Sequence, residues 1–265
     1  MNFYVIPPLN HLDLMNEGDR FFCLAQLYIK DHNYREFFKK KVAQGKWVTL
    51  DNGAGDHDLI SEDVLISVAE DLMPSEVIPP DVLFNGIATI RNLESFIGKM
   101  KERNLLGKIE IFACPQGINK EEWLFVYKYM LYHPNVTTLG FSKIAVPYAF
   151  LLKKDDQMIM EARHLAYDTL KAQGLIQKPI HCLGAGDPRE FLHYKSDPLM
   201  RSTDSCFSVW SAMNNISWSD GNYARIKTPR DYFDRTISEK EEALVYKNIF
   251  WFRDLVSNKS DEVIN

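Results

Sequence analysis

The sequence predicts an α/β protein, a TIM-like (β/α)8 barrel built as a single domain over residues 1–256 with a polar tail at 257–265. Three observations predict it. Short apolar runs alternate with helical patterns from one end of the chain to the other, the signature of parallel strands covered by helices. Eight such runs can be counted, which suits a closed barrel better than an open sheet. A length of 265 residues also fits one such domain with a full core.

The elements follow in order. The strand-like runs are Phe3 to Ile6, Phe21 to Tyr28, Trp47 to Leu50, Glu76 to Pro79, Lys108 to Ala113, Thr137 to Phe141, Ile180 to Leu183 and Ser202 to Phe207. Helix starts are marked by Ser61 before Glu62 and Asp63, by Asn119 with Glu122 three residues on, and by Ser238 with Glu241. Gly174 ends a helical run that begins at Asp156. The last helix, from Ser238 to about Val256, sets Leu244, Phe252, Leu255 and Val256 among charged residues and is expected on the outside of the barrel. Its Phe250, Trp251 and Phe252 read as core or dimer contacts.

Composition sets limits. Hydrophobic residues at 46% and charged residues at 25% are the balance of an ordinary globular protein, and no low-complexity tract or tandem repeat is visible. No run approaches the length of a membrane span, and the N-terminus lacks the pattern of a secretory signal, so a cytoplasmic location is expected, in a host cell if the protein is phage-encoded. Cys23, Cys114, Cys182 and Cys206 are far apart, each in an apolar run, and read as reduced core thiols. A net charge of -5 argues against broad adhesion to nucleic acid. Two local basic faces remain, Lys39-Lys40-Lys41 with Lys46, and Arg225, Lys227 and Arg230, either solvated surface or the rim of a pocket.

In a barrel, catalytic groups come from the C-terminal ends of the strands. Those ends carry Asp51-Asn52-Gly53, Pro80-Asp81, Cys114-Pro115-Gln116-Gly117, Ile144-Ala145-Val146-Pro147, Gly184-Ala185-Gly186-Asp187 and Asp204. Asp56, Asp63 and Asp187 read as helix N-caps, and Asp187-Pro188 as cap followed by Pro at the first helical position. Gly184 to Asp187 lacks the third glycine of a dinucleotide fingerprint, and a phosphate-binding turn through Gly184 and Gly186 suits it better. Asp51 and Asp204 are harder to read as caps. Asp204 lies in an apolar-flanked run, where a carboxylate must be hydrogen-bonded or mechanistically useful to offset desolvation.

The ordered set LDNGAGD, PPDVLFN, CPQG, IAVP, HCLGAGDP and STDSC resembles the tRNA-guanine transglycosylase superfamily, over roughly residues 3–215. It is most similar to the phage and bacterial branch that inserts 7-deazaguanine bases into DNA. The resemblance implies a DNA-guanine transglycosylase that exchanges guanine for a base such as preQ0, with Asp204 as the nucleophile forming a covalent glycosyl-enzyme and Asp51 as general acid/base. It further implies that Asp81 accepts from the N1–H and 2-amino group of the base. Gln116 would donate to O6, Gly117 would admit the backbone closely, and Asn52 and Ala145 would line the pocket. Gln116 read by itself is equally a turn residue.

The chain departs from the tRNA-acting members in lacking the three clustered cysteines of their zinc subdomain, since no cysteine follows Cys206. No metal and no cofactor are expected, and the partners implied are DNA at guanosine sites and a 7-deazaguanine as small-molecule substrate, with no membrane and with a homodimer left open. The polar Ser-Thr-Asp-Ser stretch also differs from the apolar surroundings usual in the tRNA enzymes. Reaching a base in duplex DNA requires flipping it out, with Trp210, Trp218 and Tyr223 as stacking groups or as ordinary packing. Three alternatives stay open: a tRNA substrate, a nucleoside or glycoside hydrolase using the same acids, and a catalytically silent barrel that binds nucleic acid or protein.

Overall fold

The computed structural model describes residues 1–53, 60–151 and 158–257. Its strands are β1 (Asn2–Val5), β2 (Phe21–Leu24), β3 (Val48–Asp51), β4 (Glu76–Val77), β5 (Glu110–Ala113), β6 (Val136–Ser142), β7 (Ile180–Leu183) and β8 (Met200–Ser205). All ladders are parallel, in the order β1-β8-β7-β6-β5-β4-β3-β2. The sheet curls into a nearly closed barrel, confirming the expected architecture. Its seam lies between β1 and β2, where the rings of Tyr4 and Phe22 meet at 5.9 Å and Asp19 exchanges two hydrogen bonds with Phe3.

The covering helices are α1 (Ala25–Lys30), α2 (His32–Ala43), α3 (Glu62–Leu72), α4 (Gly86–Glu102), α5 (Lys120–Tyr132), α6 (Ala145–Leu151), α7 (Ile159–Ala172), α8 (Phe207–Met213) and α9 (Glu239–Val256). Asn119 caps α5 by accepting from Glu122 N at 2.9 Å, and Ser238 and Glu241 close a full capping box on α9. The α9 helix does lie outside the barrel, with Phe252 packed on Phe3 at 4.5 Å and on Phe191 and Trp218 at 5.4 Å. Period-two alternation divides the apolar residues into two cores. Most fill the layer between strands and helices, whereas Tyr4, Ile6, Phe22, Leu24, Ile78 and Phe112 form a separate plug inside the barrel.

Several boundaries differ from the sequence expectation. The second strand stops at Leu24 because Ala25, Gln26 and Leu27 are good helix formers and begin α1. The eighth stops at Ser205, whose Oγ accepts from Phe207 N at 2.8 Å and starts α8. A 3-10 segment, Leu9–Glu17, stands where the first covering helix belongs. Asp63 is no cap: Ser61 caps α3, and Asp63 instead pairs with Lys99 at 2.7 Å. Lys39, Lys40, Lys41 and Lys46 precede β3 and therefore sit at the N-terminal end of the barrel, away from its mouth. Lys41 is buried there against the Phe21 and Phe37 rings. Ala54, Asp56, Asp156 and the tail beyond Ser257 lie outside the described residues.

Candidate active site

The mouth of the barrel gathers three acids. Asp204 faces inward from β8, opposite Tyr4 in the β1 ladder, which settles the register of the Ser-Thr-Asp-Ser stretch. Each polar residue of that stretch has a partner: Ser202 with His181 Nδ1, Thr203 with Cys182 O, Ser205 with Ala185 O. Asp204 Oδ1 accepts from His181 Nε2 and from Gly184 N, both at 2.9 Å. Burial by itself pushes this carboxyl upward, but the bonds from His181 and Gly184 and the charge of Lys143 outweigh it, so its pKa lies below the ordinary 3.8. Among the described residues both bonds fall on Oδ1, and the side chain keeps 10% of its surface open, so Oδ2 is the oxygen left to meet a ligand.

Asp81 is the opposite case. It follows β4, is 7% exposed, and its Oδ1 accepts from Asn52 Nδ2 at 2.9 Å while Oδ2 accepts from Gln116 Nε2. Burial raises its pKa above 3.8 and these two amide bonds only partly oppose it. Asn52 is thus a brace for Asp81 rather than simple wall, tied also to Pro79 O at 2.7 Å. Gln116 is held by Phe84 N donating to its Oε1 at 3.3 Å. Phe84 has φ 63, a left-handed conformation costly for a bulky residue, and its ring lies 4.3 Å from that of Tyr148 on α6.

Asp51 ends β3 with its Oδ2 accepting from Gly53 N at 3.0 Å, where Gly53 turns with φ 79. Its charge and that of Asp81 both act on the buried Cys114 thiol, which burial first of all pushes well upward, so the two acids share one neighbourhood. Gly117 is needed for packing: a Cβ there would lie 2.5 Å from Trp123 N on α5. Ala145 is buried at the start of α6, its N–H bonded to Ser142 Oγ at 3.1 Å. Gly184 and Gly186 are covered by side chains, since a Cβ would meet Lys143 Cδ at 2.5 Å and Arg225 Nη1 at 2.9 Å. Arg225 therefore does reach the mouth. Trp218 is buried against Trp251 and Phe252, and Trp210 packs on Tyr232, so both serve packing. Tyr223 is half-buried beside Trp251 and Arg189.

Sequence reasoning missed His181 and Lys143. His181 is completely buried, its ring 5.2 Å from those of Tyr4 and Phe112 and stacked on Phe22 at 5.8 Å. Its signal was present as a polar residue between Ile180 and Cys182, at the inward position of a strand whose outward residues are apolar. Lys143 follows β6, exposed, with its stem over Gly184.

Solved structures match this fold. RipC from Yersinia pestis is 10% identical and aligns 94% of each chain at a TM-score of 0.43. An HpcH/HpaI aldolase/citrate lyase family protein from Burkholderia cenocepacia J2315 is 11% identical over 81% of this chain and 91% of its own, at 0.50. A dihydrodipicolinate synthetase-type protein from Pseudomonas aeruginosa is 12% identical over 94% and 80%, at 0.45. No family model matches the chain. No curated protein matches it either. The expectation of a DNA-guanine transglycosylase is overturned, since the barrel matched at a TM-score of 0.50 is that of an aldolase/citrate lyase family protein and not of a transglycosylase. What these likenesses show of this chain is its fold. Among the described residues no helix is long and apolar enough to cross a membrane.

Proposed function

We propose that this barrel is an enzyme of the glycosyl-transfer class, acting at a glycosidic carbon of a small substrate that carries a planar amino-heterocycle. The observation that carries the reading is the divergence of two buried carboxyls at one mouth: Asp204 held ionised with one oxygen open, Asp81 shifted the other way among amide groups. Environments that push paired acids apart assign them different roles. Asp204 Oδ2 attacks the carbon as the C–N bond breaks, the leaving heterocycle takes a proton from Asp51, and the glycosyl-aspartate is then resolved by an acceptor. Asp81, Asn52 and Gln116 face the heterocycle edge, and the Phe84 ring, tilted against Tyr148, offers it an aromatic face. Exchange of bases in DNA is no part of this reading.

Lys143 favours a second reading. An amine beside Asp204, on a barrel of the shape shared with an aldolase/citrate lyase family protein, is placed to condense with a carbonyl substrate, losing water and forming an imine. Intact-mass spectrometry separates the two. Nucleosides whose bases present adjacent N–H donors should leave a glycosyl adduct that disappears in Asp204→Ala. An adduct formed only from keto or aldehyde substrates, fixed by borohydride and lost in Lys143→Ala, would replace the first reading by the second.

A further inference from the structure

A chain of buried polar groups runs from the closed end of the barrel to its mouth. Glu76 on β4 is fully buried and accepts from Arg201 Nη1 at 3.0 Å and Nη2 at 2.7 Å, as well as from Thr49 and Thr138. A register shift between β7 and β8 lets both Arg201 and Ser202 turn into the interior. Arg201 Nε donates to Ser202 Oγ at 3.2 Å, Ser202 lies 2.8 Å from His181 Nδ1, and His181 Nε2 lies 2.9 Å from Asp204 Oδ1. The chemistry fixes the direction of every proton. An ionised Asp204 accepts, so Nε2 carries the hydrogen, and Nδ1 of a neutral ring must accept from the Ser202 hydroxyl.

We propose that His181 is a positioning residue for Asp204, locked by Arg201 and Ser202 as a neutral imidazole whose Nε2–H pins Oδ1 and leaves Oδ2 aimed at the substrate. The role rests on the proposed function only for what Oδ2 attacks; the lock itself belongs to the resting protein. Burial against Tyr4, Phe22 and Phe112 keeps the ring from gaining a second proton, because the imidazolium would have to be desolvated. Arg201 adds to that resistance, while Asp204 and Glu76 oppose it and the Tyr4 hydroxyl faces Thr49 and Glu76 below. Lys143 faces Asp204 from the β6 side. A serine without another partner could donate to the ring or accept from it; Arg201 Nε–H already occupies the acceptor side of Ser202 Oγ, which turns the hydroxyl hydrogen toward Nδ1.

The test uses the full-length protein labelled with 15N-histidine and needs no substrate. Long-range proton–nitrogen correlation, with the His181 signal assigned by its loss in His181→Gln, should show an Nε2–H neutral ring at neutral pH that takes its second proton only below the ordinary 6.5. An Nδ1–H ring, or an imidazolium at neutral pH, would overturn the proposal. Carboxyl 13C titration should move the Asp204 midpoint upward in His181→Phe and restore it in His181→Gln, whose amide can donate from the same place. A midpoint unmoved in folded His181→Phe would also overturn it. Adduct formation should fall by about 10- to 100-fold in His181→Phe with KM little changed, and recover in His181→Gln. If the wild type forms no adduct while the ring and carboxyl behave as expected, the functional reading fails and the positioning role stands.

Discussion

Asp204 and Asp81 are both buried carboxyls, yet their surroundings drive them in opposite directions, and that contrast generates predictions at the level of single groups. Asp204→Asn keeps the shape and removes the charge, so adduct formation should fall by at least about 1,000-fold in a rapid-quench assay with folding intact. Binding of an amino-heterocycle that needs ionised Asp81 should weaken on acidification at a higher pH than an ordinary aspartate with pKa 3.8 would give, which a calorimetric pH series measures. Stability follows the same logic. The unfolded chain protonates His181 below 6.5, whereas burial holds the folded ring below that value, so stability is complete above 6.5 and falls as pH drops through the window beneath it. The slope is up to about 1.4 kcal/mol per pH unit. Asp204 extends the loss below 3.8. His181→Gln should flatten the upper part of this curve in thermal melts. Asp204 was legible in the sequence because a carboxylate in an apolar-flanked strand demands a reason. His181 was passed over because its place between Ile180 and Cys182 marks an inward side chain but not the partner it meets, and Asp204 comes beside it only once β7 and β8 are paired.

The strands and turns that present these groups carry constraints of their own. The turn after β7 is held by Arg163, fully buried, which donates to Leu183 O and Gly184 O and pairs with the equally buried Glu190 at 3.2 Å. Arg163→Met would strand Glu190 without its cation and should cost about 3–5 kcal/mol in urea unfolding. The Gly184 N–H that binds Asp204 should then exchange faster. Gly117→Ala sets a methyl against the α5 backbone and should cost about 1–3 kcal/mol. All eight strands were legible from alternation, but their ends were not: Ala25 to Tyr28 reads as strand by its aromatic and apolar content and becomes helix once Leu24 enters the barrel interior. The Leu9–Glu17 segment was missed because its apolar residues follow neither period. Asn52 read as pocket wall because nothing in the sequence says that Asp81, a side chain at the next strand end, will claim it.

For the molecule as a whole, the seam between β1 and β2 is the weak line of the barrel. It is closed by rings and by the Asp19–Phe3 exchange instead of a ladder, so Asp19→Ala should speed amide exchange at Phe3 by roughly five- to tenfold while β6 and β7 are unaffected. The far end of the barrel is sealed by the Glu76–Arg201 pair, Thr49, Thr138 and the ring plug above them. Among the described residues that closure leaves the mouth as the way in, and it imposes traffic rules. Whatever is split off must back out through the entrance before a successor can come in, and only a fragment tethered to the wall can wait meanwhile. Steady-state rates measured against two substrates should therefore give parallel double-reciprocal lines, the pattern of an exit that precedes the second entry.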